Sequence, residues 1–191
     1  MGAEAVVLVG HGGVPRDFPR ALITELKRHE AARRSGGIDE PGARELEIDR
    51  HVRQWPRTPE TDPYRVGLEG LAEELRPRLG GRRLVAAYNE FCAPSIEDAI
   101  ARLVAEGARR ITLVSTMFTR GGSHAEVEIP EVVTRARARH PGVVIEYAWP
   151  FDLRLVAEFL AEHLGQHLQP RAPSAGQGVA LSAATTSDGS G

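Results

Sequence analysis

Two histidines stand at matching places in this sequence. His11 follows the hydrophobic run Ala5-Val6-Val7-Leu8-Val9, within VVLVGHGG. His124 follows a second run, Ile111-Thr112-Leu113-Val114-Ser115, within LVSTMFTRGGSHAEVEIP. A buried strand that delivers a polar residue at its carboxyl end is how an open α/β sheet builds a site. Two imidazoles delivered this way can converge on one metal. Glu90 follows a third run, RLVAAY over Arg83–Tyr88, and so projects at the same sheet edge. His11, Glu90 and His124 together make an oxygen–nitrogen donor set for a divalent ion. Taken singly, each has a plainer role: a histidine bonded to a backbone carbonyl, or a glutamate held beside a helix cap.

Other chemistries find less support. The cluster Gly10-His11-Gly12-Gly13 lets the backbone approach a bulky ligand. It lacks GxGxxG spacing, and no Gly-Lys-Ser/Thr follows, so it is no dinucleotide or phosphate fingerprint. Ser115, Thr116 and Ser123 sit in no Gly-x-Ser-x-Gly elbow. Cys92 is the single cysteine, which excludes an internal disulfide and a Cys-rich metal site. It has no Cys/His/Asp constellation around it and reads as a buried, inert thiol.

The elements that must position these residues alternate along the chain. Residues 5–10, 83–88, 111–116 and 143–148 read as strands. The first is apolar almost throughout, as in a parallel sheet buried on both faces. Helices are expected from Pro19 to about Arg33, with Leu22, Ile23 and Leu26 inward, and from Arg65 to about Pro77. Pro94 is expected to open a third helix as its first residue, with Ile96, Ala99, Ile100, Leu103 and Val104 buried. A fourth starts near Pro130 on Val132, Val133 and Ala136. A last one carries an apolar stripe of Leu153, Val156, Leu160 and Leu164. Helices between successive strands imply an α/β fold: a three-layer open parallel sheet of about four strands flanked by helices.

Residues 35–64 break the pattern. Gly36, Gly37, Pro41, Gly42, Pro56, Pro59 and Pro63 punctuate them, and only a short helix around Glu45–His51 is expected. A loop this long in a compact domain is usually a lid, a binding loop or disorder. Trp55 and Arg57 are candidates to cover a ligand, or parts of an exposed connection. No core role is expected for the segment. From Pro170 to Gly191 the chain offers little to bury and reads as a disordered tail. The domain is thus residues 1–169, with an irregular insertion.

Composition bounds the class. At 191 residues the chain suits one domain with a substantial core, and 41% hydrophobic with 26% charged residues suits a soluble one. A net charge of -2 gives no case for nucleic-acid binding. No apolar run approaches the roughly 18 residues of a membrane span. The start, MGAEAVVLVGHGG, has no basic segment and reads as a strand rather than a secretory signal. A cytoplasmic protein with no membrane partner is the expectation.

GHGG after the first strand, NEFCAPSIEDAI after the second and the stretch from Phe118 to Pro130 together resemble the small class II tetrapyrrole chelatases. These are the sirohydrochlorin cobaltochelatases and ferrochelatases of sirohaem and cobalamin synthesis. The resemblance covers about residues 4–34 and 65–168. It implies that His11, Glu90 and His124 hold the incoming metal, Co²⁺, Fe²⁺ or Ni²⁺, as a substrate, with no organic cofactor. Family members usually read Gly-Gly-His where this chain has Gly121-Gly122-Ser123-His124, and an aspartate where it has Glu128. The spacing from His124 to Pro130 then calls for an altered turn.

Metal insertion suits these residues. Neutral imidazoles bind such ions without trapping them as thiolates would. The macrocycle must lose two pyrrole protons, and Glu90 is the leading candidate to accept one, with Glu128 second. The substrate carries many carboxylates, which Arg16 and Arg120, with Arg57 a weaker candidate, are placed to pair. Phe91, Phe118 and Met117 are candidates to pack on the macrocycle or to serve the core. A macrocycle needs a second wall. In the family, long members supply two domains and short members pair, which implies a homodimer here. Two alternatives stay open: a non-catalytic metal- or tetrapyrrole-binding protein on this fold, and another small α/β enzyme with His11 as acid/base. A degenerate paralogue with a structural role is a third.

Overall fold

The computed structural model describes residues 4–38 and 40–168. It divides into two compact units, 1–151 and 152–191. The first holds β1 (Glu4–Gly10), α1 (Arg20–Ser35), α2 (Ala43–Gln54), α3 (Pro63–Leu75) and β2 (Arg83–Tyr88). It continues through α4 (Ile96–Ala105), β3 (Arg110–Ser115), α5 (Ile129–Arg139) and β4 (Val144–Tyr147). The described part of the second is α6 (Leu153–Leu168). No helix among the described residues is long and apolar enough to cross a membrane.

The four strands form one parallel sheet in the order β2-β1-β3-β4. Its two central strands explain the apolar runs. Val7 and Val9 of β1 face Ile96, Ala99, Ile100 and Leu103 of α4 and Val132, Val133 and Ala136 of α5. Leu8 faces the other way, onto Leu68 and Ala72 of α3. The sheet is therefore sandwiched between helices, and β1 has no wet face. The expected α/β architecture of about four strands is the one found.

The chain leaves β1 toward β2 on one side, then crosses to β3 on the other. The order reverses between β1 and β3, and a crevice opens outside the strand ends at such a point. Register fixes which residues meet there: Gly10 pairs with Tyr88, and Val9 with Ser115. The residues that follow these three ends are His11, Asn89-Glu90 and the loop leading to His124.

Three local expectations change. The 35–64 segment is not simply irregular. It contains a helix, α2, longer than the one expected, and Ile48 and Val52 of that helix are buried with Phe18, Leu26 and Phe91. Trp55 joins this cluster, edge-on to Phe18 at 5.0 Å, rather than lying in an exposed connection. Amphipathic spacing was hidden among arginines and glutamates in ARELEIDRHVRQ. Pro94 is not the first residue of α4. Ser95 caps that helix in a reciprocal box with Asp98, so Pro94 lies before the cap. In α6 no residue is buried, and Leu153, Leu160 and Leu164 of the expected inward stripe are exposed. The tail expected over 170–191 lies outside the described residues.

Candidate metal centre

The β1 and β2 ends are stitched together by backbone. Asn89 N donates to Gly10 O at 2.9 Å, and Glu90 N to His11 O at 2.8 Å. Gly12 makes this possible: at φ 98° it lies in the left-handed region, and a Cβ there would stand 1.9 Å from the Glu90 carbonyl oxygen. His11 N donates to Tyr64 Oη at 2.7 Å, which ties the loop to α3.

His124 arrives differently. Residues His124–Glu128 form a π-helical turn, in which Ile129 N bonds His124 O. This is the altered turn that the spacing to Pro130 calls for. Such turns recur at functional sites. Pro130 follows as an early residue of α5 and has no N–H, so the widened turn forgoes one donor at no cost.

His11, Glu90 and His124 are brought together. Their donor atoms all lie within 4.8 Å of one another, and each residue is half-buried. The two imidazoles meet edge-on, with ring centroids 4.6 Å apart. His11 Nε2 stands 3.9 Å from Glu90 Oε2. Donors at about 2.1 Å from a shared ion are at most about 4.2 Å apart, so small side-chain rotations suffice to close the set. His11 Nδ1 lies 2.7 Å from the Gly12 carbonyl oxygen, which only accepts. That fixes the proton on Nδ1 and leaves the Nε2 lone pair for an ion.

The surroundings are charged. Glu128 Oε2 lies 2.8 Å from His124 Nδ1 and 2.7 Å from Asn89 Nδ2. Burial pushes the Glu128 carboxyl up, but the hydrogen bonds from His124 and Asn89 outweigh it and hold it below its ordinary value. Helix α1 supplies two cations seven residues apart on one face. Lys27 Nζ is 3.5 Å from Glu90 Oε1, and an Arg34 nitrogen is 3.8 Å from Glu128 Oε1. Neither cation, nor Asn89, was singled out in the sequence. Their two-turn spacing on α1 was the available signal.

The other candidates scatter. Arg16 is exposed on the loop after β1, and Arg120 is exposed and paired with Glu126 at 3.4 Å. Phe118 is partly open and meets Phe151 edge-on at 5.4 Å. Phe91 is different. Its ring is buried in the α1–α2 cluster under the Lys27 ammonium, so it serves packing. Its φ of 55° is costly for a bulky residue. Met117 packs against the main core. Arg57 covers no ligand: its buried guanidinium bonds Asp62 and the carbonyls of Gly13, Val52 and Phe91. Cys92 is fully buried, and burial raises its thiol above the ordinary range, as an inert thiol requires.

No curated protein matches the chain. Among solved structures, the sirohydrochlorin chelatase SirB of Bacillus subtilis subspecies spizizenii, in complex with cobalt, is 19% identical. That match covers 86% of this chain and 51% of SirB, with a TM-score of 0.49. SirB from Bacillus subtilis with Fe³⁺ is 20% identical over 86% of this chain and 48% of its own, with a TM-score of 0.48. The chain thus spans about half the length of these SirB chains. A putative cobalamin biosynthesis CbiX protein from Marinobacter aquaeolei VT8 is 19% identical, covering 86% of this chain and 97% of that one, with a TM-score of 0.48. The sequence profile of the CbiX family matches residues 61–167, a stretch that holds Glu90 and His124. The match takes in more than half of the chain, which therefore belongs to the CbiX family, the small class II chelatases that its three motifs resemble.

Proposed function

We propose that this chain inserts a divalent metal, Co²⁺ or Fe²⁺ with Ni²⁺ a further candidate, into sirohydrochlorin. The observation that carries the reading is the convergence of His11, Glu90 and His124 at the reversal point of the sheet. Family membership supports it. SirB, to which the chain is similar, is a sirohydrochlorin chelatase, described with cobalt and with Fe³⁺.

In this reading the metal is a substrate. His11 and His124 present it through exchangeable imidazole nitrogens. Two pyrrole N–H protons leave as two metal–nitrogen bonds form. Glu90, with its side chain 15% exposed, takes one of them as general base. The second leaves to water. Arg16 and Arg120 pair with the carboxylates of the macrocycle, and Phe118 packs beside it. Two copies of the chain pair to enclose the substrate. The exposed leucines of α6 support that pairing.

The test is anaerobic incubation of the protein with sirohydrochlorin and Co²⁺ or Fe²⁺, followed by absorbance. Insertion changes the macrocycle spectrum at a rate above the uncatalysed one. Metal binding without acceleration would overturn the enzyme and leave a metal-binding protein on this fold.

A further inference from the structure

The second of the two imidazoles is held by a partner that the proposed chemistry does not use. Glu128 lies four residues after His124, and the π turn between them brings position i+4 almost directly over position i. Its carboxylate oxygen sits 2.8 Å from His124 Nδ1. The same oxygen is 2.7 Å from Asn89 Nδ2, which itself lies 3.0 Å from His124 Nδ1. Two side chains, one from the turn after β2 and one from the π turn, thus meet at one ring nitrogen.

We propose that Glu128 is a positioning residue for His124, holding the ring as the Nδ1–H tautomer so that Nε2 keeps the lone pair a metal needs. The inference rests on His124 being a metal-presenting residue, as proposed above. A neutral imidazole carries one N–H. A carboxylate can only accept, so it draws that hydrogen to Nδ1. Asn89, whose amide nitrogen can only donate, then bonds the carboxylate rather than the ring. Glu128 therefore plays for His124 the part that the Gly12 carbonyl plays for His11. Acceptors behind metal-bound imidazoles generally set both ring orientation and ligand basicity.

The arrangement makes a directional prediction. Without Glu128, the group left beside Nδ1 is the Asn89 amide nitrogen, a donor. That favours the opposite tautomer, with the hydrogen on Nε2 and no lone pair for the ion. Removing Glu128 should therefore reverse a preference rather than loosen a contact.

Long-range ¹H–¹⁵N spectra of the metal-free protein, at a pH where the rings are neutral, read the tautomer directly. Wild type should show His124 protonated at Nδ1. Glu128→Ala should show mainly Nε2–H, and its Co²⁺ affinity should fall about 10–100-fold. Glu128→Gln keeps an acceptor carbonyl, so it should retain Nδ1–H and lose less. It also serves as the folded control should the alanine variant be unstable. An unchanged tautomer in Glu128→Ala, or wild-type Co²⁺ affinity in both variants, would overturn the proposal. His124→Ala, measured in parallel, separates the two readings. If it loses Co²⁺ while the Glu128 variants keep it, only the positioning role falls. If it binds Co²⁺ as wild type does, the metal-centre reading falls and takes this proposal with it.

Discussion

Arg57 and Asp62 form a buried ion pair, their side chains 3% and 2% exposed, beneath the loop that carries His11. The guanidinium also bonds the carbonyls of Gly13, Val52 and Phe91, so one side chain joins the loop after β1, the end of α2 and the turn after β2. Asp62 caps α3 through the Arg65 N–H as well. Removing one partner leaves an uncompensated charge and several orphaned carbonyls. Arg57→Ala should cost about 3–5 kcal/mol in denaturant unfolding. A loss under about 1 kcal/mol would show that the pair is not holding the loops together.

That pair also shows where sequence reading stopped. The strands were legible because β1 and β3 are buried and nearly unbroken, and their carboxyl ends point to His11 and His124. Glu90 followed from the same logic. The 35–64 segment was not legible, because Ile48 and Val52 are isolated apolar residues in a charged helix. An arginine flanked by prolines and threonines looks solvated unless its distant partners are known, and Gly13 and Phe91 lie 44 and 34 residues from Arg57. The His124–Glu128 contact was hidden for a similar reason. A carboxylate four residues after a histidine is ordinary, and its contact with Nδ1 is visible only in the folded π turn.

The donor set predicts a clean separation of binding from folding. His11 is 41% exposed at its side chain, and His124 24%. Their replacement by alanine should leave the thermal transition nearly unmoved. Co²⁺ affinity should drop about 100-fold in each variant, equivalent to about 2.7 kcal/mol. Calorimetry showing wild-type affinity in both would remove the pair from the metal site.

Glu90 has a sharper signature. Glu90→Gln keeps the shape of the side chain but takes away its basicity. Substrate binding should persist while turnover falls about 100-fold, within the range expected for a lost general base. Equal turnover in the variant would take Glu90 out of proton transfer. A lowered melting temperature with normal turnover per folded molecule would assign it to structure instead.

Cys92 offers a check on the core. Burial, the largest influence on the thiol, raises it and keeps it protonated, and its sulfur lies 4.0 Å from the buried Asp62 carboxylate. A thiolate is the reactive form. Ellman's reagent should leave the native protein unmodified and react at once after unfolding. Prompt stoichiometric labelling of the native state would mean that the turn after β2 opens far more readily than its contacts imply.

The last expectation is a homodimer. Helix α6 has no buried residue, and Leu153, Leu160, Leu164 and Leu168 are exposed at spacings of seven, four and four, which is one helical face. Covering one such leucine yields about 1.5–3 kcal/mol, so a face of four is a strong drive to association. Two-fold pairing of identical chains is the commonest way to satisfy it. Light scattering at working concentration should give twice the mass of one 20.7 kDa chain. Leu160→Glu with Leu164→Glu should shift that mass to one chain. If pairing also supplies the second wall of the substrate cleft, the double variant should keep its Co²⁺ affinity and lose metal insertion. A wild-type mass of one chain together with full chelatase activity would refute the dimer, and the second wall would then have to come from within the chain itself.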